Sequence, residues 1–173
     1  MTTSTPDVAE RVRALREYGW RTREDAEELG INARLDELQA AVLRVMLPGL
    51  NDATLRRRTI AGAYLDGLAG VKELELPAPA AGSESAWHLF VVRHPRRDSL
   101  AAALARCGVA TAVHYATPPP LHSAFHDGRS RAGAFPVSER HANTALTLPL
   151  HPGISDAELQ HVIDTVHREV ARV

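Results

Sequence analysis

A chain of 173 residues, 45% hydrophobic and 24% charged, has the composition of an ordinary globular domain and enough length to bury one core. A formal net charge of −1, with acidic residues balancing arginines, argues against nucleic acid or an anionic membrane as partner. Cys107 stands alone, which excludes an intramolecular disulfide; no apolar run reaches the ~18 residues of a membrane span, and MTTSTPDVAE has no secretory pattern, so a cytoplasmic chain is expected.

The first helix is expected to begin at Pro6, with Thr5 as cap and Asp7 in its first turn. It carries Val8, Val12 and Leu15 on one face and ends near Gly19. Residues 20–31 are polar and lack clean periodicity, so they read as a loop. Asn32 can cap the next helix, in which Leu35, Leu38, Val42 and Val45 form a seam for another helix. Pro48-Gly49 interrupts it. A second helical run places Ile60, Tyr64 and Leu68 on one face and stops at Gly70.

The period then changes. Val71–Leu76, Trp87–Val92 and Val109–Tyr115 read as three strands. A helix with Leu100 and Leu104 lies between the second and third, closed by Gly108. Pro118-Pro119-Pro120 opens a long loop containing Gly128 and Gly133. Pro136 starts a helix through about Leu146. Ser155 and Glu158 form a capping box ahead of a stripe of Leu159, Val162, Ile163, Val166 and Val170. Helices segregated against a small, about three-stranded sheet give an α+β domain.

Several residues stand out. His114 and Tyr115 end a predicted strand before a Pro-rich loop, where they can face a ligand or simply close the strand. His122 is a weaker candidate of the same kind. Arg34 can face an anion or form an ion pair. Trp87 reads as a packing residue, and Arg56, Arg57 and Arg58 read as a solvated helix face. His122 and His126 have no nearby cysteine and no convincing carboxylate partner in their loop, so no metal is expected. Lys72 is the only lysine, in Gly-Val-Lys-Glu-Leu-Glu-Leu.

Six stretches, in order, line up with one family. They are Arg-Glu-Tyr-Gly-Trp at 16–20, Gly-Ile-Asn-Ala-Arg-Leu-Asp-Glu-Leu-Gln-Ala-Ala-Val-Leu-Arg-Val at 30–45 and Trp-His-Leu-Phe-Val-Val-Arg at 87–93. The others are Thr-Ala-Val-His-Tyr at 111–115 with Pro-Leu-His at 120–122, Phe-Pro-Val-Ser-Glu-Arg at 135–140, and Leu-Thr-Leu-Pro-Leu at 146–150. Together they resemble the DegT/DnrJ-type nucleotide-sugar aminotransferases, which are fold-type I pyridoxal phosphate (PLP) enzymes. Ala33 departs from the family's usual Ser, Met46 from a common Lys, and His-Tyr-Ala-Thr from His-Tyr-Pro.

The resemblance implies the C-terminal part of such an enzyme. It assigns 1–31 to an entry helix and loop, 32–70 to a long interdomain helical pair, and 71–173 to the α+β small domain. The N-terminal large domain, with the Schiff-base lysine, is implied to precede Thr2 or Thr3. Asn32 would reach the PLP phosphate of a neighbouring subunit, and Arg34 would lie in the same anionic region. His114, Tyr115 and His122 would approach the nucleotide sugar. No catalytic residue is assigned, since Lys72 lies outside the family's lysine context and arginine, always protonated, cannot replace it. The chain alone is therefore expected to be inactive and not to hold PLP stably. Its expected partners are a second copy, or an intact or N-terminal-half aminotransferase. The motifs most resemble dTDP-3-keto-6-deoxyhexose 3-aminotransferases of antibiotic or surface-sugar pathways, with Glu or Gln as amino donor. A 4-aminotransferase, or an aminocyclitol or aminohydroxybenzoate relative, is compatible with the same motifs. So is a non-catalytic truncated homologue acting as a partner subunit.

Overall fold

Helical and strand periodicities resolve into six α-helices and four short strands among the described residues. The computed structural model describes residues 2–22, 25–125 and 131–173. His126 and Gly128, singled out above, lie outside them. The fold is α+β, and the chain divides into two compact units, Met1–Leu50 and Asn51–Val173.

In the first unit, helix α1 (Pro6–Leu15) starts with Pro in its first turn and Thr5 extended in the cap position. It ends at Leu15, short of Gly19, because the chain reverses through Tyr18 (φ 63°) and Gly19 (φ 80°). Residues expected to be loop form a small antiparallel pair, β1 (Trp20–Thr22) with β2 (Asp25–Ala26). Gly19 is required by contact as well as by φ. A Cβ there would lie 1.6 Å from the Glu28 carbonyl oxygen.

Asn32 does not cap a helix. Ile31 N–H donates to Leu15 O at 2.8 Å, Tyr18 N–H to Ile31 O at 3.1 Å and Ala33 N–H to Arg16 O at 3.0 Å. These bonds hold 31–33 extended beside the end of α1, with Asn32 bridged to Glu17. Helix α2 (Glu37–Met46) starts only at Glu37, with Asp36 extended in the cap position. A 3-10 turn at Leu47–Gly49 follows, where Pro48 breaks the α geometry. The seam on α2 is exposed, with Leu38 at 78% and Val45 at 82%.

The second unit holds the core. Helix α3 (Leu50–Gly67) buries Ile60 and Tyr64, and Leu68 follows them. Strand β3 (Phe90–Arg93) pairs antiparallel with β4 (Ala145–Leu148), in the register Phe90↔Leu148 and Val92↔Leu146. Since side chains alternate along a strand, those four point to one face, and they are buried with α3. Helices α4 (Arg97–Arg106) and α6 (Asp156–Val170) close the core, with Leu100, Leu104, Leu159, Val162, Ile163, Val166 and Val170 inside. The capping box of Ser155 and Glu158 is formed in full.

The sheet differs in detail from the three strands read above. Val71–Leu76 contributes only a bridge, Glu75 to Arg93, since Glu73 takes a positive φ of 59° and breaks the extension. Val109–Tyr115 contributes only the bridge Ala112 to Thr147. Strand β4 occupies the end of the predicted helix from Pro136, which stops earlier as α5 (Pro136–Thr144). The buried Arg97 guanidinium explains the switch, since it donates to Ala142 O at 3.1 Å and to Ala145 O at 3.0 Å. It satisfies carbonyls that the helix end leaves open, just where the chain turns into the strand.

Arg56, Arg57 and Arg58 are not a solvated face. Arg56 donates to Ile154 O at 2.8 Å and pairs with Asp156 at 2.7 Å. Arg57 donates to the carbonyls of Trp87, His88 and Leu150 at 3.2–3.4 Å. Arg58 reaches Ser85 O at 3.1 Å and Glu84 at 2.9 Å. The three arginines tie irregular segments, whose carbonyls have no ladder partner, back onto α3.

Candidate functional site

Alternation puts Val91 and Arg93 of β3, and Ala145 and Thr147 of β4, on the sheet face opposite the core. A cleft of about 300 Å³ opens there, with Val91 and Ala145 in its floor. His114, Tyr115, Thr117, Pro118 and Pro119 form one wall, and Val137, Ser138, His141 and Ala142 of α5 form the other. Two sequence candidates, His114 and Tyr115, are thus brought together at a concave surface. Their rings meet edge to face with centroids 5.5 Å apart. His114 Nδ1 shares a hydrogen bond of 2.8 Å with Thr147 Oγ1. Thr147 is fixed in turn by backbone bonds to Ala112, and His114 Nε2 makes no hydrogen bond among the described residues. Tyr115 is 75% exposed.

His122 is not in this cleft. It is exposed between the 3-10 turns Pro119–Leu121 and Ser123–Phe125. Asn32 and Arg34 fall in the first unit. Asn32 is exposed in its bridge, and Arg34 pairs with Glu17 at 3.8 Å and lies over the Tyr18 ring at 5.7 Å. Trp87 packs at 5.5 Å from Phe90, which itself meets Tyr64 at 4.9 Å.

Charged residues hold the α5 wall in place. Glu139 accepts N–H bonds from Gly133 and Phe135, each at 2.9 Å, and these hold its carboxyl below the ordinary carboxylate range. Glu75 pairs with both Arg93 and Arg140, joining β3 to α5. Arg93 Nη1 donates to His141 Nε2 at 3.3 Å. Sequence reasoning missed His141. Its only signal is a place on α5 that matters once the register of β3 and β4 is known.

Lys72, the one lysine, is exposed in the turn after α3. A PLP site needs an amine set in a recess to hold the cofactor and move its proton. The exposed Lys72 does not line the cleft at His114 and Tyr115. Among the described residues no three His, Cys, Asp or Glu side chains gather as metal ligands, and no helix is long and apolar enough to cross a membrane.

The architecture is that of one half of a fold-type I aminotransferase. The structure of Streptomyces venezuelae DesV in complex with a ketimine intermediate superposes with a TM-score of 0.93 at 41% identity, covering 99% of this chain and 46% of that one. Residues 1–167 match the model of the DegT/DnrJ/EryC1/StrS aminotransferase family, and the chain belongs to that family. The chain is 46% identical over 164 residues to the erythromycin biosynthesis sensory transduction protein EryC1 of Saccharopolyspora erythraea, which covers 95% of this chain and 45% of the relative. It is 41% identical over 171 residues to the dTDP-3-amino-3,4,6-trideoxy-alpha-D-glucose transaminase of Streptomyces venezuelae, covering 99% and 45%. The chain thus spans under half the length of these relatives.

Proposed function

We propose that these residues are the C-terminal part of a cytoplasmic, PLP-dependent aminotransferase. The complete enzyme moves an amino group from glutamate or glutamine to a keto-sugar nucleotide, a dTDP-keto-6-deoxyhexose, in deoxyaminosugar biosynthesis. The observation that carries this reading is the cleft at His114 and Tyr115, set in a chain that matches sugar transaminases along 99% of its length. In this reading His114 and Tyr115 meet the sugar nucleotide, His122 lies at the approach, and Asn32 and Arg34 serve the cofactor phosphate of a partner subunit. Lys72, in Gly-Val-Lys-Glu-Leu-Glu-Leu, is not the family's Schiff-base lysine, and without that lysine these residues are inactive by themselves.

Two assays test it. Incubated with PLP and borohydride, the chain should show no adduct on Lys72 and no turnover. Mixed with the lysine-bearing N-terminal half of the Streptomyces venezuelae transaminase, it should transfer nitrogen to the dTDP-keto sugar, and neither half should do so alone. Turnover by the chain with a trapped Lys72 would end the inactivity claim. Failure of the mixture, with both halves folded, would count against the substrate assignment.

A second reading, a non-catalytic partner subunit, rests on the exposed α2 seam of Leu35, Leu38, Val42 and Val45. Light scattering after size exclusion tests it. Association lost in Leu38→Glu supports a pairing surface, and a clean monomer of the native chain counts against it.

A further inference from the structure

The geometry points to His141 as a second substrate-contacting histidine, which grips the hexose of a nucleotide sugar from the α5 wall opposite His114. The inference rests on the reading of the cleft as the sugar-nucleotide site and adds a residue to it. A guanidinium has only donors, so the Arg93 contact at 3.3 Å makes His141 Nε2 the acceptor. The ring proton then sits on Nδ1, an N–H with no hydrogen bond among the described residues. His114 is engaged at one nitrogen too, with Nδ1 on Thr147 at 2.8 Å and Nε2 without a hydrogen bond among the described residues. Each ring is locked at one nitrogen by a residue of the sheet, and both rings line the same cleft.

The space between them selects the ligand. About 300 Å³ is the low end of small-molecule sites, so the cleft takes the sugar-sized part of a ligand and not a whole nucleotide sugar. Its remaining lining is largely apolar, from Val91, Pro118, Val137, Ala142 and Ala145. Two hydrogen-bonding rings across an apolar floor suit a hexose that keeps some hydroxyls and has lost others. Arg93, bonded to His141 and paired with Glu75, is then a positioning residue.

Ring-nitrogen NMR of the native chain, titrated with dTDP-glucose or with dTDP alone, tests this without a variant. dTDP-glucose should move the signals of His114 and His141 together, and dTDP alone should leave His141 in place. His161 and His167, bonded on α6 to the carbonyls of Cys107 and Gly67, should not move. His141→Leu should weaken dTDP-glucose binding by roughly three- to tenfold, the loss of one hydrogen bond, and His141→Gln should recover most of it. His141 is exposed, so both variants should fold. If His114 moves while His141 stays, or if His141→Leu binds as before, the inference falls and the cleft reading stands. If dTDP alone moves His141, the sugar assignment of that histidine falls. If neither ring moves, both readings fall.

Discussion

His94 shows how one buried side chain sets a pH response. It is fully buried after β3, and its Nδ1 accepts the Arg96 N–H at 3.1 Å. Its Nε2 has no hydrogen-bond partner among the described residues, and Glu73 Oε2 lies 3.9 Å away. Burial disfavours the imidazolium, and Arg96 adds repulsion. These outweigh Glu73 and the backbone contact, so the pKa falls below the ordinary value of 6.5. The unfolded chain then takes up the proton first. Stability from this group is complete above about pH 6.5 and declines as pH falls from there toward the depressed folded value. Glu139, Glu158 and Glu169, held low by N–H, hydroxyl and arginine donors, act in a separate and more acidic window, since their stabilisation is lost only as pH falls through their lowered values. Melting temperatures between pH 7.5 and 5 should therefore decline in the native chain and stay nearly flat in His94→Gln. An identical decline in the variant would remove His94 as the cause.

The elements show which signals survive folding. The start of helix α6 and its buried face were readable, because its capping box and apolar stripe are both local. Tyr64 was readable as a core residue, but its hydroxyl bond to Pro149 O at 2.7 Å was not, since it joins distant segments. Strand β4 was hidden inside a helical pattern, because its cause is Arg97, far away in sequence. Arg97→Ala should cost about 2–4 kcal/mol in urea unfolding, since it strips two carbonyls of a charged donor at a buried site. Ser155→Ala, which removes one exposed cap, should cost only about 1 kcal/mol. Equal losses would show that the α5–β4 corner does not depend on Arg97. The site divides in the same way. His114 and Tyr115 were singled out as the end of a strand that forms only the bridge of Ala112 to Thr147, yet both line the cleft, whereas the place of His141 there depends on the register that sets Arg93 beside it. Asn32 was misread as a cap because the bonds that join Ile31 and Ala33 on either side of it to Leu15, Arg16 and Tyr18 leave no trace in its own neighbourhood.

At the scale of the whole molecule, stability is unevenly divided. Among the described residues of the first unit, Ala14 is the one buried hydrophobic side chain, whereas the second unit holds the full core cluster. Amide exchange should accordingly be slow in β3, β4 and α6 and fast through α2, and uniform protection would contradict that division. The pairing of Phe90 with Leu148 also has a consequence for biosynthesis. A nascent chain extrudes β3 well before β4 exists, so the ribosome presents a strand with an open edge while the α4 region, the Pro-rich loop and α5 are still being translated. For that interval Phe90 and Val92 have no partner strand, and the edge is open to a neighbouring nascent chain. Translation speed between codons 93 and 148 thus governs how long this chain is exposed to misassembly, and a chaperone that shields strands would act there.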